Sequence, residues 1–271
     1  MADVKTAQDN VAKWREASGV WRDRIVMIAG SERDGRLHIG TSVALPREIR
    51  ERIADAAGVP VEFMKVRVRF HQAGDAYVRP LVGGTRIESE QTGEQGTLGL
   101  VVQSVIGDAG ILTAGHFVGG VGDTVGQPDL DNIVGTVVAN NFITPGGVDG
   151  AFIVLSTNDY ALGSVWQEGG GTTRLTDMLA VPVEGSACTM QGADSGNVNG
   201  LVLWTGVQID NVTNLSVATY PAQEGDSGAP VYSGTTFLGV HSLGVDVGGG
   251  VMYSGFTQVS GLQRVVNFNL G

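Results

Sequence analysis

The chain has 271 residues, a formal net charge of −11 and only one cysteine, with 42 glycines and 17% charged residues. That length allows one large or two modest domains. The charge argues against nucleic acid or an anionic membrane as partner, since both need a basic surface, and a single cysteine rules out an intramolecular disulfide.

Residues 3–18 carry Val4, Ala7, Val11 and Trp14 at three- and four-residue spacing, which predicts a helix ended by Gly19. Arg24–Ala29 reads as a strand, and Ser31–Gly35 as its turn, with Asp34-Gly35 at the tip. Leu37–Thr41 then returns as the second strand of a hairpin. A second helix runs from Pro46 to Ala57 and is closed by Gly58. Val61–Phe70 alternates apolar and polar residues as a half-buried strand does. Residues 1–75 are therefore expected to form a small α+β domain with a regulatory, targeting or propeptide-like role. His38 and His71 in it read as surface or satisfied histidines.

From Gly74 the composition changes. Glycine turns separate short strands at Leu98–Ser104, Ile111–Thr113, Asn132–Val138, Ala151–Leu155, Cys188–Gln191, Leu201–Ile209, Ser216–Tyr220, Ala229–Tyr232, Phe237–Ser242 and Val251–Phe256. Even spacing of about ten to twelve short strands predicts two small barrels over residues 76–271. Residues 261–267 read as a short closing helix. Cys188 lies among small and apolar residues and reads as a buried structural thiol. The polar start Met1-Ala2-Asp3-Val4-Lys5 shows no signal peptide, and no apolar run approaches the ~18 residues of a membrane span. The expectation is a cytoplasmic protein, or a secreted one if a leader has been removed.

One stretch bears chemistry: Glu224-Gly225-Asp226-Ser227-Gly228-Ala229-Pro230. A serine between glycines can present its hydroxyl on a tight loop whose N–H groups face a developing negative charge. The same stretch could be an ordinary glycine turn. A nucleophilic serine needs a base, and the base needs a carboxylate to orient it. His116 ends the apolar run Ile111-Leu112-Thr113-Ala114-Gly115. Asp149 heads the strand Ala151–Leu155, where aspartate is also a common turn residue.

Gly225-Asp226-Ser227-Gly228 resembles the nucleophile signature of the chymotrypsin-like serine proteases. Leu112–His116 resembles their histidine motif, and Asp149–Leu155 their aspartate motif. The order His116, Asp149, Ser227 is that family's order. The resemblance covers residues 76–271 only. It implies a mainly β fold, a chymotrypsin-like double six-stranded antiparallel β-barrel, acting as a serine endopeptidase through an acyl-enzyme, with a polypeptide substrate and neither cofactor nor metal. It implies Ser227 as nucleophile, His116 as base, Asp149 as orienting carboxylate, and the N–H groups of Gly225 and Ser227 as oxyanion hole. The rival reading is a catalytically silent or latent protease-fold binding module.

The family aspartate before the serine is often held by a freed α-amine. Leu81-Val82-Gly83-Gly84 resembles the family's mature start, so cleavage after Pro80 would supply one. Proline is an unusual residue before a cleaved bond and Gly-Gly is common in this composition, so the favoured reading is a Gly-Gly turn in an intact chain, in which case Asp226 needs another cation, for which several arginines qualify. Substrate-contacting residues implied by the resemblance are Ala222, His241, Ser242, Leu243, Gly244 and Val251. Pro221 stands where the trypsin subset has its aspartate, so a Lys or Arg preference is not supported. His241 falls where glutamyl endopeptidases carry a substrate-contacting histidine, but Ala222 replaces their hydroxyl residue. An acidic side chain, or a small or apolar one, is the expectation left open. The 1–75 domain is expected to offer a surface for a regulatory protein partner.

Overall fold

A computed structural model describes residues 3–31, 35–41, 43–65, 76–142, 144, 146–167, 169–246 and 252–271. The chain divides into two compact units, Met1–His71 and Gln72–Gly271.

In the first unit, helix α1 spans Val4–Ala17 and is followed by a 3-10 turn, Gly19–Arg24. Asp3 caps α1, its carboxylate accepting from the Thr6 N–H at 2.6 Å. Strands β1 (Ile25–Ser31) and β2 (Arg36–Thr41) form an antiparallel hairpin, helix α2 covers Arg47–Ala57, and β3 (Val61–Lys65) pairs in parallel with β2. Gly58 ends α2 at φ +66°, a left-handed cap that glycine adopts without strain. Ile49, Ile53 and Ala57 recur every fourth residue and bury one stripe of α2 with Ala7, Val11, Leu37 and Ile39. The expected turn at 32–34, residues 66–70 of the last strand and His71 lie outside the described residues. His38 is half-buried, 3.3 Å from Glu62.

The second unit is built of strands. The first set is β4 (Leu81–Gly83), β5 (Arg86–Ser89), β6 (Gln95–Thr97), β7 (Leu100–Ser104), β8 (Ala109–Thr113), β9 (Thr124–Gly126), β10 (Ile133–Asn140) and β11 (Ala151–Leu155). The connection that follows carries β12 (Tyr160–Trp166), β13 (Thr172–Arg174) and β14 (Asp177–Met178). The second set is β15 (Ala187–Gly192), β16 (Gly196–Ile209), β17 (Val212–Ala218), β18 (Pro230–Ser233), β19 (Thr236–Asp246) and β20 (Met252–Gln258), closed by helix α3 (Val259–Val265) and β21 (Phe268–Asn269).

One sheet runs β21-β7-β8-β11-β10-β9-β5-β6, and Leu98 N–H extends the pairing of β5 and β6 to the Thr85 carbonyl at 2.7 Å. The other runs β14-β19-β18-β15-β16-β17-β20, and pairing of β19 with β20 closes a ring of six strands. Closure removes the free edges that an open sheet leaves. This is a double β-barrel. Leu81, Ile87, Val101, Ile111, Phe117 and Ile153 fill the first barrel, and Met190, Val202, Tyr220, Val231 and Phe256 the second. Leu100, Val102, Leu112, Phe152, Phe237 and Leu262 pack in a third cluster on the opposite face of β7 and β8. Both faces of β7 are thus buried over Leu100–Val102, which is why these three residues are all apolar. Cys188 is buried, and burial pushes its thiol up to about 11, so it is an inert core group.

The expected strands are present, with bounds shifted by a few residues, but eight others among the described residues, all short except the seven-residue β12, were not legible. Among them β4, β6, β9 and β13 are three residues each and rich in glycine, threonine or both. Strand β16 runs to 14 residues where nine were expected, because register shifts let a strand twist through its pairing with β17.

Candidate active site

His116 follows β8, Asp149 precedes β11, and Ser227 lies in the turn before β18. Strands β8 and β11 are antiparallel neighbours with Thr113 opposite Ala151, so the residues just beyond them meet. His116 Nδ1 lies 2.7 Å from Asp149 Oδ2, and its Nε2 lies 2.8 Å from Ser227 Oγ. A carboxylate only accepts, so Nδ1 carries the proton. Nε2 of the neutral ring is then an acceptor, and Ser227 donates to it. The three residues named from the sequence are joined in one hydrogen-bonded line.

Asp149 is 1% exposed, yet every lone-pair direction is used. Its Oδ1 accepts from the N–H groups of Gly115 and His116 at 2.7 and 2.9 Å. Its Oδ2 accepts from His116 Nδ1 and from Ser242 Oγ at 2.6 Å. Burial alone would push the His116 imidazole down, but its hydrogen bond and charge interaction with Asp149, aided by Glu94, leave it above its usual range. Phe117 and Phe142 approach the ring edge-on at 6.1 and 5.9 Å between centroids and limit its movement.

The loop that carries Ser227 is fixed from both barrels. Thr97, at the end of β6, donates its hydroxyl to the Gly225 carbonyl and its N–H to the Ser227 carbonyl, each at 2.7 Å. Gly228 N–H donates to the His241 carbonyl at 2.8 Å. Among the described residues the N–H groups of Gly225 and Ser227 have no hydrogen-bond partner, which leaves them available to an incoming oxygen. Gly225 has φ +94°, and an added Cβ would meet the Asp194 carboxylate, so only glycine fits.

Asp226 is fully buried and needs no cation, contrary to the expectation from the sequence. Its Oδ1 accepts from the N–H groups of Asp194 and Ser195 at 3.1 and 2.9 Å. Its Oδ2 accepts from Gln223 N–H at 2.8 Å and Ser195 Oγ at 2.5 Å. Four neutral donors compensate the charge. Arg86 instead pairs with Asp194 at 2.6 Å, bracing the turn that supplies those donors. In this uncut chain Leu81 N–H donates to the Asp159 carbonyl at 2.8 Å in a buried strand.

A pocket of about 340 Å³ opens beside Ser227 and is lined by Tyr220, Pro221, Ala222, Glu224, His241, Ser242, Leu243, Gly244 and Ser254 among others. It gathers five of the six residues expected to contact substrate, while Val251 lies outside the described residues. Ser242 lines it but turns its hydroxyl to Asp149. His241 is 4% exposed, and burial holds it neutral by pushing its imidazole down to about 4. Two further hollows flank the triad. One of about 500 Å³ has Phe142, Ile209, Val212 and Leu243 in its wall, and one of about 540 Å³ has Glu94, Gln95, Phe117 and Glu224.

Comparison with solved structures settles what this architecture is. Thermobifida fusca protease A superposes with a TM-score of 0.59 at 24% identity, over 70% of this chain and 98% of its own. A Cellulomonas bogoriensis chymotrypsin gives 0.58 at 23% identity, over 70% and 98%. This is the chymotrypsin-like fold. A glutamic-acid-specific serine protease described as using a histidine triad in substrate binding shares it, with a TM-score of 0.57 at 21% identity over 66% of this chain and 94% of its own. No protein-family model and no curated protein matches the sequence. The residues missed from the sequence, Thr97, Asp194, Ser195 and Tyr220, are brought to the site by the chymotrypsin-like fold and stand in no local motif.

Proposed function

We propose that the chain is a serine endopeptidase. The observation that supports this most directly is the line Ser227 Oγ, His116 Nε2, His116 Nδ1, Asp149 Oδ2, with contacts of 2.8 and 2.7 Å. A serine hydroxyl is un-ionised at neutral pH and attacks only when a base removes its proton in the same step. His116 is placed to do so. Ser227 Oγ bonds to the peptide carbonyl carbon as its proton passes to Nε2, and the imidazolium formed is stabilised by Asp149. The carbonyl oxygen becomes an oxyanion that accepts from the N–H groups of Gly225 and Ser227, each donor being worth roughly 3 kcal/mol. Collapse expels the amine, which takes the proton from Nε2. Water then attacks the acyl-enzyme by the same route, returning the proton to Ser227.

The substrate is a polypeptide lying across the cleft, with one side chain in the pocket by His241 and its neighbours over the apolar hollow of Phe142, Ile209, Val212 and Leu243. The test is active-site labelling with a fluorophosphonate. The expected result is one adduct on Ser227 in the full-length protein and none in Ser227→Ala. A folded wild-type protein that takes no label would instead favour a silent binding module.

A further inference from the structure

We infer that the pocket beside Ser227 selects a glutamine side chain, an uncharged carbonyl acceptor, at the residue whose carbonyl is attacked. This rests on the protease reading above. The inference comes from the pair at the pocket's inner wall. Tyr220 is fully buried, and its hydroxyl lies 3.1 Å from His241 Nδ1. That nitrogen is the one partner of the hydroxyl among the described residues, so the phenol proton is donated to it. The ring hydrogen is then on Nε2. Nε2 has no partner among the described residues, and the ring lines the pocket. The wall therefore presents one fixed N–H donor to whatever enters.

The chemistry of that donor separates the possible side chains. Burial keeps His241 uncharged well below neutral pH. A glutamate would bring its charge to a neutral ring, in a pocket whose wall also contains Glu224. A lysine or arginine would set donor against donor. A leucine would strip water from Nε2–H and give it no partner. The carbonyl oxygen of glutamine accepts from Nε2–H, while Ser254 Oγ and Glu224 are acceptors in the same wall for its N–H groups. Asparagine is shorter, and the imidazole is buried on the inner wall. The charged or titratable groups that act on the ring are Tyr220, Asp226, His116 and Asp149 around it, with Glu224 in the pocket wall. Asp226 and Asp149 are each held by hydrogen-bond donors of their own and leave the ring neutral. Tyr220 thus acts as a positioning residue, fixing the tautomer that His241 offers.

The experiment uses the full chain and matched peptides that differ only in Gln, Glu, Leu or Lys at the attacked residue, compared by kcat/KM at pH 7.5. The expected result is at least ten-fold preference for glutamine over each of the others. Tyr220→Phe removes only the hydroxyl, frees the tautomer that places the ring hydrogen on Nε2, and should lower the preference for glutamine at least ten-fold. If that variant does not fold, His241→Leu removes the donor and should abolish the preference. A wild type that labels with fluorophosphonate but prefers Glu, Leu or Lys, or whose glutamine preference survives the substitution made, overturns the inference alone. A wild type that neither labels nor cleaves overturns the protease reading and the inference with it.

Discussion

Ser242 Oγ and His116 Nδ1 donate to the same oxygen, Asp149 Oδ2, at 2.6 and 2.7 Å. Ser242 lies on β19 in the second barrel, while His116 and Asp149 belong to the first. The Asp149 carboxylate is thus held from both sides of the cleft. Ser242→Ala removes one hydrogen bond to a charged acceptor and leaves three. Such bonds are worth about 1.5–3 kcal/mol, so kcat on a peptide substrate should fall about ten-fold. Asp149→Asn, which loses the orienting charge, should cost about 10⁴. Steady-state kinetics on both variants checks the order. Equal losses would mean that Ser242 does more than share the load.

The four donors to Asp226 make a second prediction. Asp226→Asn replaces an acceptor-only group by an amide, whose N–H₂ must face at least one N–H or O–H donor. A buried polar group left unsatisfied costs about 1–3 kcal/mol, and here more than one bond fails. The variant should lose about 3 kcal/mol of stability and most of its fluorophosphonate reactivity, because Gly225 and Ser227 flank this carboxylate. Ser195→Ala removes a single donor and should cost about 1–2 kcal/mol. Denaturant unfolding and labelling rate measure both. Arg86→Gln should perturb activity less than Asp226→Asn, since Arg86 acts through the Asp194 turn.

How far the sequence could be read follows from where the partners lie. Leu98–Ser104 and Ala151–Leu155 were legible as strands because each is built on an apolar run, Leu100–Val102 and Ala151–Leu155, bounded by turns. His116, Asp149 and Ser227 were legible because each sits in a short motif and their order is diagnostic. Thr97 was not, because its value lies in two bonds to a loop 128 residues away that exists only once the barrels close. The donors to Asp226 were missed for a related reason. They are backbone N–H groups of Asp194 and Ser195, which no residue-type pattern marks, so the sequence suggested a cation instead. Tyr220 read as the end of a strand, and nothing local tied it to His241, which is 21 residues further along.

The two histidines of the second unit predict opposite pH dependences. His116 must be neutral to accept the serine proton, and its imidazole is held above the usual 6.5. Activity should therefore rise through a midpoint above 6.5, and Glu94→Gln, which removes one of the causes, should move the midpoint down. For stability the signs are worked from proton uptake. His116 binds its proton more tightly folded than unfolded, so its contribution is full below 6.5 and is lost as pH rises through its raised value. His241 falls to about 4 on folding. Between 6.5 and about 4 the unfolded chain binds the extra proton, so this contribution is lost as pH falls. Unfolding followed from pH 7 to pH 4 should be shallower with pH in His241→Gln than in wild type. Parallel curves would show that His241 does not titrate on unfolding.

Gly228 gives the last prediction, because it tests the packing of the Ser227 loop without removing a side chain. Its φ is +90°, and an added Cβ would lie 2.0 Å from Thr113 Oγ1 and 2.4 Å from the Thr97 carbonyl. Neither neighbour can yield, since Thr113 Oγ1 donates to that carbonyl at 2.8 Å while Thr97 N–H holds the Ser227 carbonyl. Backbone strain and overpacking then add, at about 1–2 and 1–3 kcal/mol. Gly228→Ala should lose roughly 3 kcal/mol of stability, and labelling at Ser227 should slow even below the melting transition, because Thr97 must shift. Gly120→Ala is the control. Its φ is ordinary and its Cβ would meet open space, so the melting temperature should stay within about a degree of wild type. A Gly228→Ala protein with wild-type melting and labelling would show that the loop is not wedged between the barrels.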